Sequence, residues 1–222
     1  MHDEEGIRQF IARVFVCPAD VADQILSHGR LCAYAGHAVI VRQGEALASS
    51  YLVVLGRARA LLYAANGQVV LLHEYCRGDI FGAVGEPDSA MQDADVVAVD
   101  DVQALVIRAA HLALLAQRHG CIGLALSRLL ILRLRQINAR MYERAALSSV
   151  GRVYSELLRQ ARLRPDLVIA PAPVVSDLAL IVATTRETAS RAVNALERRG
   201  IIRREADALV VVAPHRLEEL IL

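Results

Sequence analysis

Lysine is absent from the 222-residue sequence, and all 25 of its cationic side chains are arginine. That bias on its own excludes no function. Cysteine is scarce: Cys17, Cys32, Cys76 and Cys121 lie far apart without a CxxC pair, which argues against a zinc knuckle or a disulfide framework and for reduced, partly buried thiols. The start, Met1-His2-Asp3-Glu4-Glu5, lacks the basic residues and apolar run of a signal peptide. No stretch reaches the ~18 uninterrupted apolar residues of a membrane span. A cytoplasmic protein with no membrane partner is expected. The seven histidines are scattered, and no metal-spaced cluster, nucleophile elbow or glycine-rich phosphate loop occurs, so the sequence does not indicate an enzyme or a metal site.

What is present is apolar surface and a divided charge. A hydrophobic fraction of 55% over this length fills one large core or two modest ones. The 25 basic residues nearly balance 24 acidic ones, but the two signs separate along the chain. Asp88, Asp93, Asp95, Asp100 and Asp101 precede Arg108, whereas residues 128–164 hold nine Arg against Glu143 and Glu156.

From about 31 to 107 short apolar stretches are punctuated by Gly36, Gly44, Gly56, Gly67, Gly78, Gly82 and Gly85. Strands are expected over 50–55, 57–63, 69–73, 96–99 and 104–107, with Ala64-Ala65-Asn66-Gly67 as a turn, in an antiparallel sandwich or roll. Residues 4–28 and 109–118 read as helical. A longer helix is expected over 121–146, where Ile122, Leu126, Leu130, Leu134, Ile137 and Met141 recur every three or four positions as one stripe. Such a stripe packs on its own domain or pairs with a second copy. Arg128, Arg133, Arg135 and Arg140 are assigned to the opposite, wet face. Ser148-Ser149-Val150-Gly151 then breaks the pattern, a short helix follows over 153–163, and Ala170-Pro171-Ala172-Pro173 is extended.

Two helices are expected over 176–182 and 186–199, joined by Ala183-Thr184-Thr185. Thr184 and Glu187 have capping-box spacing, and Gly200 stands where a left-handed residue ends a helix. Ala189, Ala192, Val193 and Leu196 fall on one side of the second helix, and Glu187, Arg191, Asn194 and Arg198 on the other. An arginine fork matches guanine O6 and N7 and a glutamate accepts from cytosine N4, so Arg186, Glu187 and Arg191 have the chemistry to read base pairs. Thr185 and Ser190 are candidates for phosphate contact, and six Arg against Glu187 and Glu197 between 184 and 204 supply the local positive excess. The alternative is a solvated face carrying a Glu187–Arg191 ion pair. Ile201-Ile202-Arg203-Arg204, a turn at 205–208 and an apolar run over 209–212 add a hairpin, completing a winged helix-turn-helix.

Thr185-Arg186-Glu187-Thr188-Ala189-Ser190-Arg191 and Leu196-Glu197-Arg198-Arg199-Gly200-Ile201-Ile202, together with Gly44-Glu45, Gly56, Gly67, Gly78-Asp79-Ile80-Phe81-Gly82 and Val150-Gly151-Arg152-Val153, resemble the Crp/Fnr family of bacterial transcription regulators across essentially the whole chain. The resemblance implies an α+β chain. A cyclic-nucleotide-binding-like antiparallel β-roll would occupy 1–119, a long dimerisation helix 120–147 and a winged helix-turn-helix 148–222. It also implies a homodimer through Ile122, Leu126, Leu130, Leu134, Ile137 and Met141, binding to double-stranded DNA, and contact with RNA polymerase. Arg186, Glu187 and Arg191 are similar to the Crp-like branch, whose half-site is of the TGTGA type; a two-fold dimer would read two such half-sites about one helical turn apart. Where the family usually has glycine in the turn, this chain has Ala183, for which a small stability cost is expected.

The effector cassette departs from the resemblance. The positions matching Gly-Glu, the phosphate-binding Arg and the polar pair on the long helix are Gly82-Ala83, Gln92-Asp93 and Ile137-Asn138. The ribose carboxylate is gone, Gln92 replaces the phosphate-binding Arg, and Asp93 would place a negative charge beside the phosphate. Cyclic AMP binding in the usual way is therefore not expected. An iron–sulfur cluster is not expected without clustered N-terminal cysteines. Nor is haem, for which His73 or Cys76 would be isolated ligands. No cofactor is predicted and the effector is left open. From another class, a sensing module whose C-terminal domain contacts protein rather than DNA is the competing reading.

Overall fold

The computed structural model of the chain describes residues 4–46, 48–63, 69–85 and 91–221. The protein is α+β and divides into two compact units, Met1–Leu134 and Arg135–Leu222. In the first, α1 (Glu4–Phe15) and α2 (Ala19–Ser27) precede β1 (Gly29–Tyr34), β2 (Val39–Val41), β3 (Ser49–Leu55), β4 (Ala58–Tyr63), β5 (Val69–Tyr75), β6 (Ile80–Gly82), β7 (Asp95–Ala98) and β8 (Val102–Arg108). Then come α3 (Ala109–Arg118) and α4 (Gly120–Ala146), which ends in the second unit.

The strands form two antiparallel four-stranded sheets, ordered β1-β8-β3-β6 and β2-β7-β4-β5. The near-continuous apolar run in β3 follows from burial on both faces. Leu52 and Val54 join one core with Phe15, Ile25, Leu112 and Ile122 of the helices, while Val53 joins a second core with Ala60, Val96 and Ala104. In β8, Leu105 and Ile107 likewise face the helices, while Val102 and Ala104 face the second core. The expected roll is thus present, with β1, β2 and β6 added to the strands read from sequence. The turn assigned to Ala64-Ala65-Asn66-Gly67 lies outside the described residues, but β4 and β5 on either side pair antiparallel.

Two helix boundaries differ from the sequence reading. The helical stretch expected over 4–28 is divided in two: Val16 takes a left-handed φ of 48° and Pro18 follows it. The helix expected from 153 begins at Ser149, because Ser148 is its N-cap and accepts from the Gly151 N–H at 3.0 Å. The polar pair that looked like a break is a cap.

The second unit holds α5 (Ser149–Ala161), β9 (Val168–Ile169), α6 (Val175–Ile181), α7 (Arg186–Arg198), β10 (Ile202–Arg204), β11 (Leu209–Val211) and α8 (Pro214–Glu219). Its antiparallel sheet runs β10-β11-β9, and Glu205 N–H donates to Ala208 O across the tip of the β10–β11 hairpin. One core of Val153, Leu157, Leu178, Ala189, Leu196, Ile201, Leu209 and Leu217 binds helices and hairpin together. This is the expected winged helix-turn-helix.

Candidate nucleic-acid interface and sensor cavity

α7 is stopped at both ends by its own sequence. At its start the capping residue is Thr185 and not Thr184: Thr185 Oγ1 accepts from the Thr188 N–H at 3.2 Å and donates to Thr188 Oγ1 at 2.9 Å. That hydroxyl, expected from sequence as a candidate for phosphate contact, has its proton engaged by Thr188. At its end Gly200 takes φ +66°, with Gly200 N–H donating to Glu197 O at 2.9 Å and Ile201 N–H to Leu196 O at 3.0 Å. Those two bonds are a Schellman motif, and buried Leu196 and Ile201 supply its apolar contact.

Between the caps, Ala189, Ala192, Val193 and Leu196 are buried and Arg186, Glu187, Arg191, Asn194 and Arg198 are exposed. Glu187 and Arg191 do form the anticipated ion pair, at 3.0 Å, but both side chains stand more than 70% exposed, so the pair contributes little to stability and leaves both heads available. Ser190 is half-buried and lines a groove of about 390 Å³ between α7 and the hairpin, together with Pro173, Val193, Asn194, Arg204 and Leu209. Arg204 is held across that groove by Asn194 Oδ1 at 2.7 Å and Glu197 at 3.0 Å, and Arg203 by Glu205 at 3.0 Å. Arg204 therefore fixes the hairpin to the helix instead of standing free beside it.

The turn before α7 depends on two residues. Ala183 adopts φ +52°, a left-handed conformation that costs a Cβ-bearing residue about 1 kcal/mol. The cost is larger than an ordinary turn would impose on alanine. Ala183→Gly is expected to raise stability by ~1 kcal/mol in urea unfolding, with DNA affinity unchanged. Arg152, on α5, donates Nε to Val182 O at 2.9 Å, Nη2 to Ala183 O at 3.1 Å and Nη1 to Leu147 O at 3.1 Å. One guanidinium thus satisfies carbonyls at the end of α4's segment and in the helix-helix turn. The planar fork of Arg152, with its five donors, suits it to this role.

On α4 the predicted apolar stripe divides. Ile122 is 0% exposed inside the first unit's core and so is closed to a second copy, while Leu126 is half-buried against the same core. Leu130, Leu134, Ile137 and Met141 stand 42–64% exposed. The reason is angular: steps of four residues advance about 40° each on a helix, so by Leu134 the stripe has turned about 120° from Ile122. Arg133, assigned to the wet face, is half-buried instead.

Arg133 belongs to a cavity of about 320 Å³ in the first unit, where Gly82, Gln92 and Asp93 meet Tyr75, Phe81, Val84, Leu126, Leu129 and Leu130. Its Nη2 donates to Ile80 O at 2.9 Å and its guanidinium lies 5.0 Å above the Tyr75 ring centre. Burial pushes the Tyr75 phenol up against the opposing pull of Arg133. Gly82 takes φ +92°, and a Cβ there would lie 2.2 Å from Ser49 O, so the position admits only glycine. Ala83 is pinned by its N–H to Ser49 O at 3.0 Å and by Ser50 Oγ donating to its carbonyl. Gly82, Gln92 and Asp93, three of the positions assigned to the effector pocket, thus line this cavity, and Ala83, next to Gly82, does not.

Residues 31–119 match the family model of the cyclic nucleotide-binding domain, and residues 151–220 that of the Crp-like helix-turn-helix domain. The chain is 30% identical over 210 residues to the cyclic AMP receptor protein of Thermus thermophilus, a match that covers 92% of this chain and 94% of that one. The chain belongs to the Crp/Fnr family. Crp/Fnr regulators are DNA-binding transcription factors and not enzymes. This one is also 26% identical to the cAMP-activated global transcriptional regulator CRP of Salmonella typhimurium over 192 residues, covering 84% of this chain and 91% of that one. Its fold is similar to FixK2 from Bradyrhizobium japonicum (TM-score 0.74, 22% identity, 86% and 96% coverage) and to a mutant of CooA from Carboxydothermus hydrogenoformans (TM-score 0.79, 20% identity, 89% and 90% coverage). Among the described residues, no helix of this Crp/Fnr member is long and apolar enough to cross a membrane.

Proposed function

We propose that this Crp/Fnr regulator acts in the cytoplasm as a homodimer that reads a pseudo-palindrome of TGTGA-type half-sites. The observation that carries this reading is the exposed set Arg186, Glu187 and Arg191 on a helix capped at both ends. Arg186 and Arg191 suit guanine O6 and N7, and Glu187 suits cytosine N4. Arg203, 63% exposed on the hairpin, and the N–H groups at the start of α7 suit contact with the phosphate backbone, while Arg204 ties the hairpin to the helix. Leu130, Leu134, Ile137 and Met141 repeat at spacings of four, three and four, the seam of a parallel helix pair, and exposed apolar surface of this kind calls for a partner. RNA polymerase is the further partner that family resemblance suggests.

Cyclic AMP is not the effector in this reading, at least in its usual pose. Ala83 offers no carboxylate to ribose, Gln92 stands at the position of the phosphate-binding Arg, and Asp93 adds a negative charge beside it. Two unit charges ~4 Å apart repel by about 1 kcal/mol in water and about 4 kcal/mol in a partly buried site. Haem is not the effector in this reading either, since His73 and Cys76 are isolated candidates for an axial ligand.

The test is fluorescence anisotropy on two duplexes of equal composition, one carrying two TGTGA-type half-sites in inverted repeat and one scrambled. Binding to the repeat about 10³-fold or more tighter is expected. Equal affinity for both, with the same salt slope, would favour the competing reading of a protein-contacting module.

A further inference from the structure

The sensor cavity has a chemistry of its own, and the inference drawn from it rests on the reading of the first unit as the effector-binding part of the regulator. We propose that this cavity takes a small ligand with an apolar body and a single carboxylate, read by Arg133.

Size comes first. At about 320 Å³ the cavity is near the lower end of small-molecule sites, which suits a compact ligand. Its walls are Tyr75 and Phe81, whose rings lie 4.8 Å apart, with aliphatic Val84, Leu126, Leu129 and Leu130. Such walls suit an alkyl or aryl body, with the polar groups confined to Gln92, Asp93 and Arg133. Gln92 and Asp93 are the neutral and acidic groups present, and Asp93 is exposed.

Charge comes second. Arg133 is the one cation lining the cavity among the described residues. Its contact with the Tyr75 ring covers a face of the guanidinium, and its bond to Ile80 O fixes the plane while using one of five donors. A planar fork held this way matches the two oxygens of a carboxylate. With Asp93 at the same cavity, a second negative charge on the ligand would meet repulsion and no further cation. The complementary ligand is therefore a monoanion with its charge at one end.

The test is isothermal titration calorimetry on the full chain with hexanoate and 3-phenylpropanoate, with the corresponding neutral amides, and with cyclic AMP. At least one acid should bind tenfold or more tightly than its amide. Arg133→Gln should erase that difference, and Val84→Trp, which puts a larger side chain in the cavity wall and keeps the arginine, should weaken the acid and its amide together. Unliganded melting of each variant reports whether it is folded. The proposal is overturned if neither acid binds, if amide and acid bind alike, if the preference survives Arg133→Gln, or if cyclic AMP alone binds. Anisotropy on the inverted-repeat duplex, run on the same preparation, separates a failure of this proposal from a failure of DNA reading.

Discussion

Leu134→Glu is expected to turn the dimer into a monomer. Leu134 is 57% exposed in the chain alone and sits centrally in the run from Leu130 to Met141, so the proposed helix pair would bury it in both copies. A carboxylate there meets its own two-fold image in an apolar seam, and burying an unpaired charge costs several kcal/mol per site. A rise in the dimer dissociation constant of about 10³-fold or more is expected, equivalent to ~4 kcal/mol. Because each copy reads one half-site, affinity for the inverted repeat should collapse towards that of a single half-site. Leu132→Glu is the matched control: it is 53% exposed but lies about 160° around the helix from Leu134, and it should leave the dimer intact. Sedimentation and anisotropy on both variants check the pair of outcomes. Dissociation by Leu132→Glu, with Leu134→Glu still dimeric, would move the seam to the other side of α4.

Arg186→Ala carries the second large effect. Arg186 stands exposed in the first turn of α7 and has no ion-pair partner among the described residues, so its removal disturbs no packing and no Glu187–Arg191 pair. The expected loss is about 1–3 kcal/mol per half-site, with preference relaxed at one base pair and its symmetry mate. Arg198→Ala, in the last turn of the same helix, should weaken binding evenly across sequences if it touches phosphate. Binding across a set of single-base variants distinguishes the two patterns. A uniform weakening by Arg186→Ala would reassign it from base to backbone.

Legibility in the sequence followed periodicity and local chemistry. α7 was accessible because its buried alanines and its charged face alternate on the 3.6-residue period and Gly200 marks its end. Its cap was misplaced by one residue, since Thr184 and Thr185 both satisfy a capping pattern and only backbone geometry selects Thr185. β3 and β8 were visible as apolar runs, while β2 and β6, of three residues each, are too short to show a period. α4 misled for an angular reason: a row of apolar residues spaced by four drifts around the helix, so Ile122 and Leu130 serve different surfaces. Arg133 and Arg152 were missed because their roles are tertiary. Their hydrogen-bond partners, Ile80, Val182 and Ala183, stand 53, 30 and 31 residues away, at separations no local pattern encodes.

Selection of duplex DNA from a random pool by the purified full-length chain tests the central claim most directly. Enrichment of an inverted repeat of TGTGA-type half-sites, centred about one helical turn apart and obtained without cyclic AMP, is the predicted result. Recovery of no two-fold symmetric sequence from the pool would contradict it.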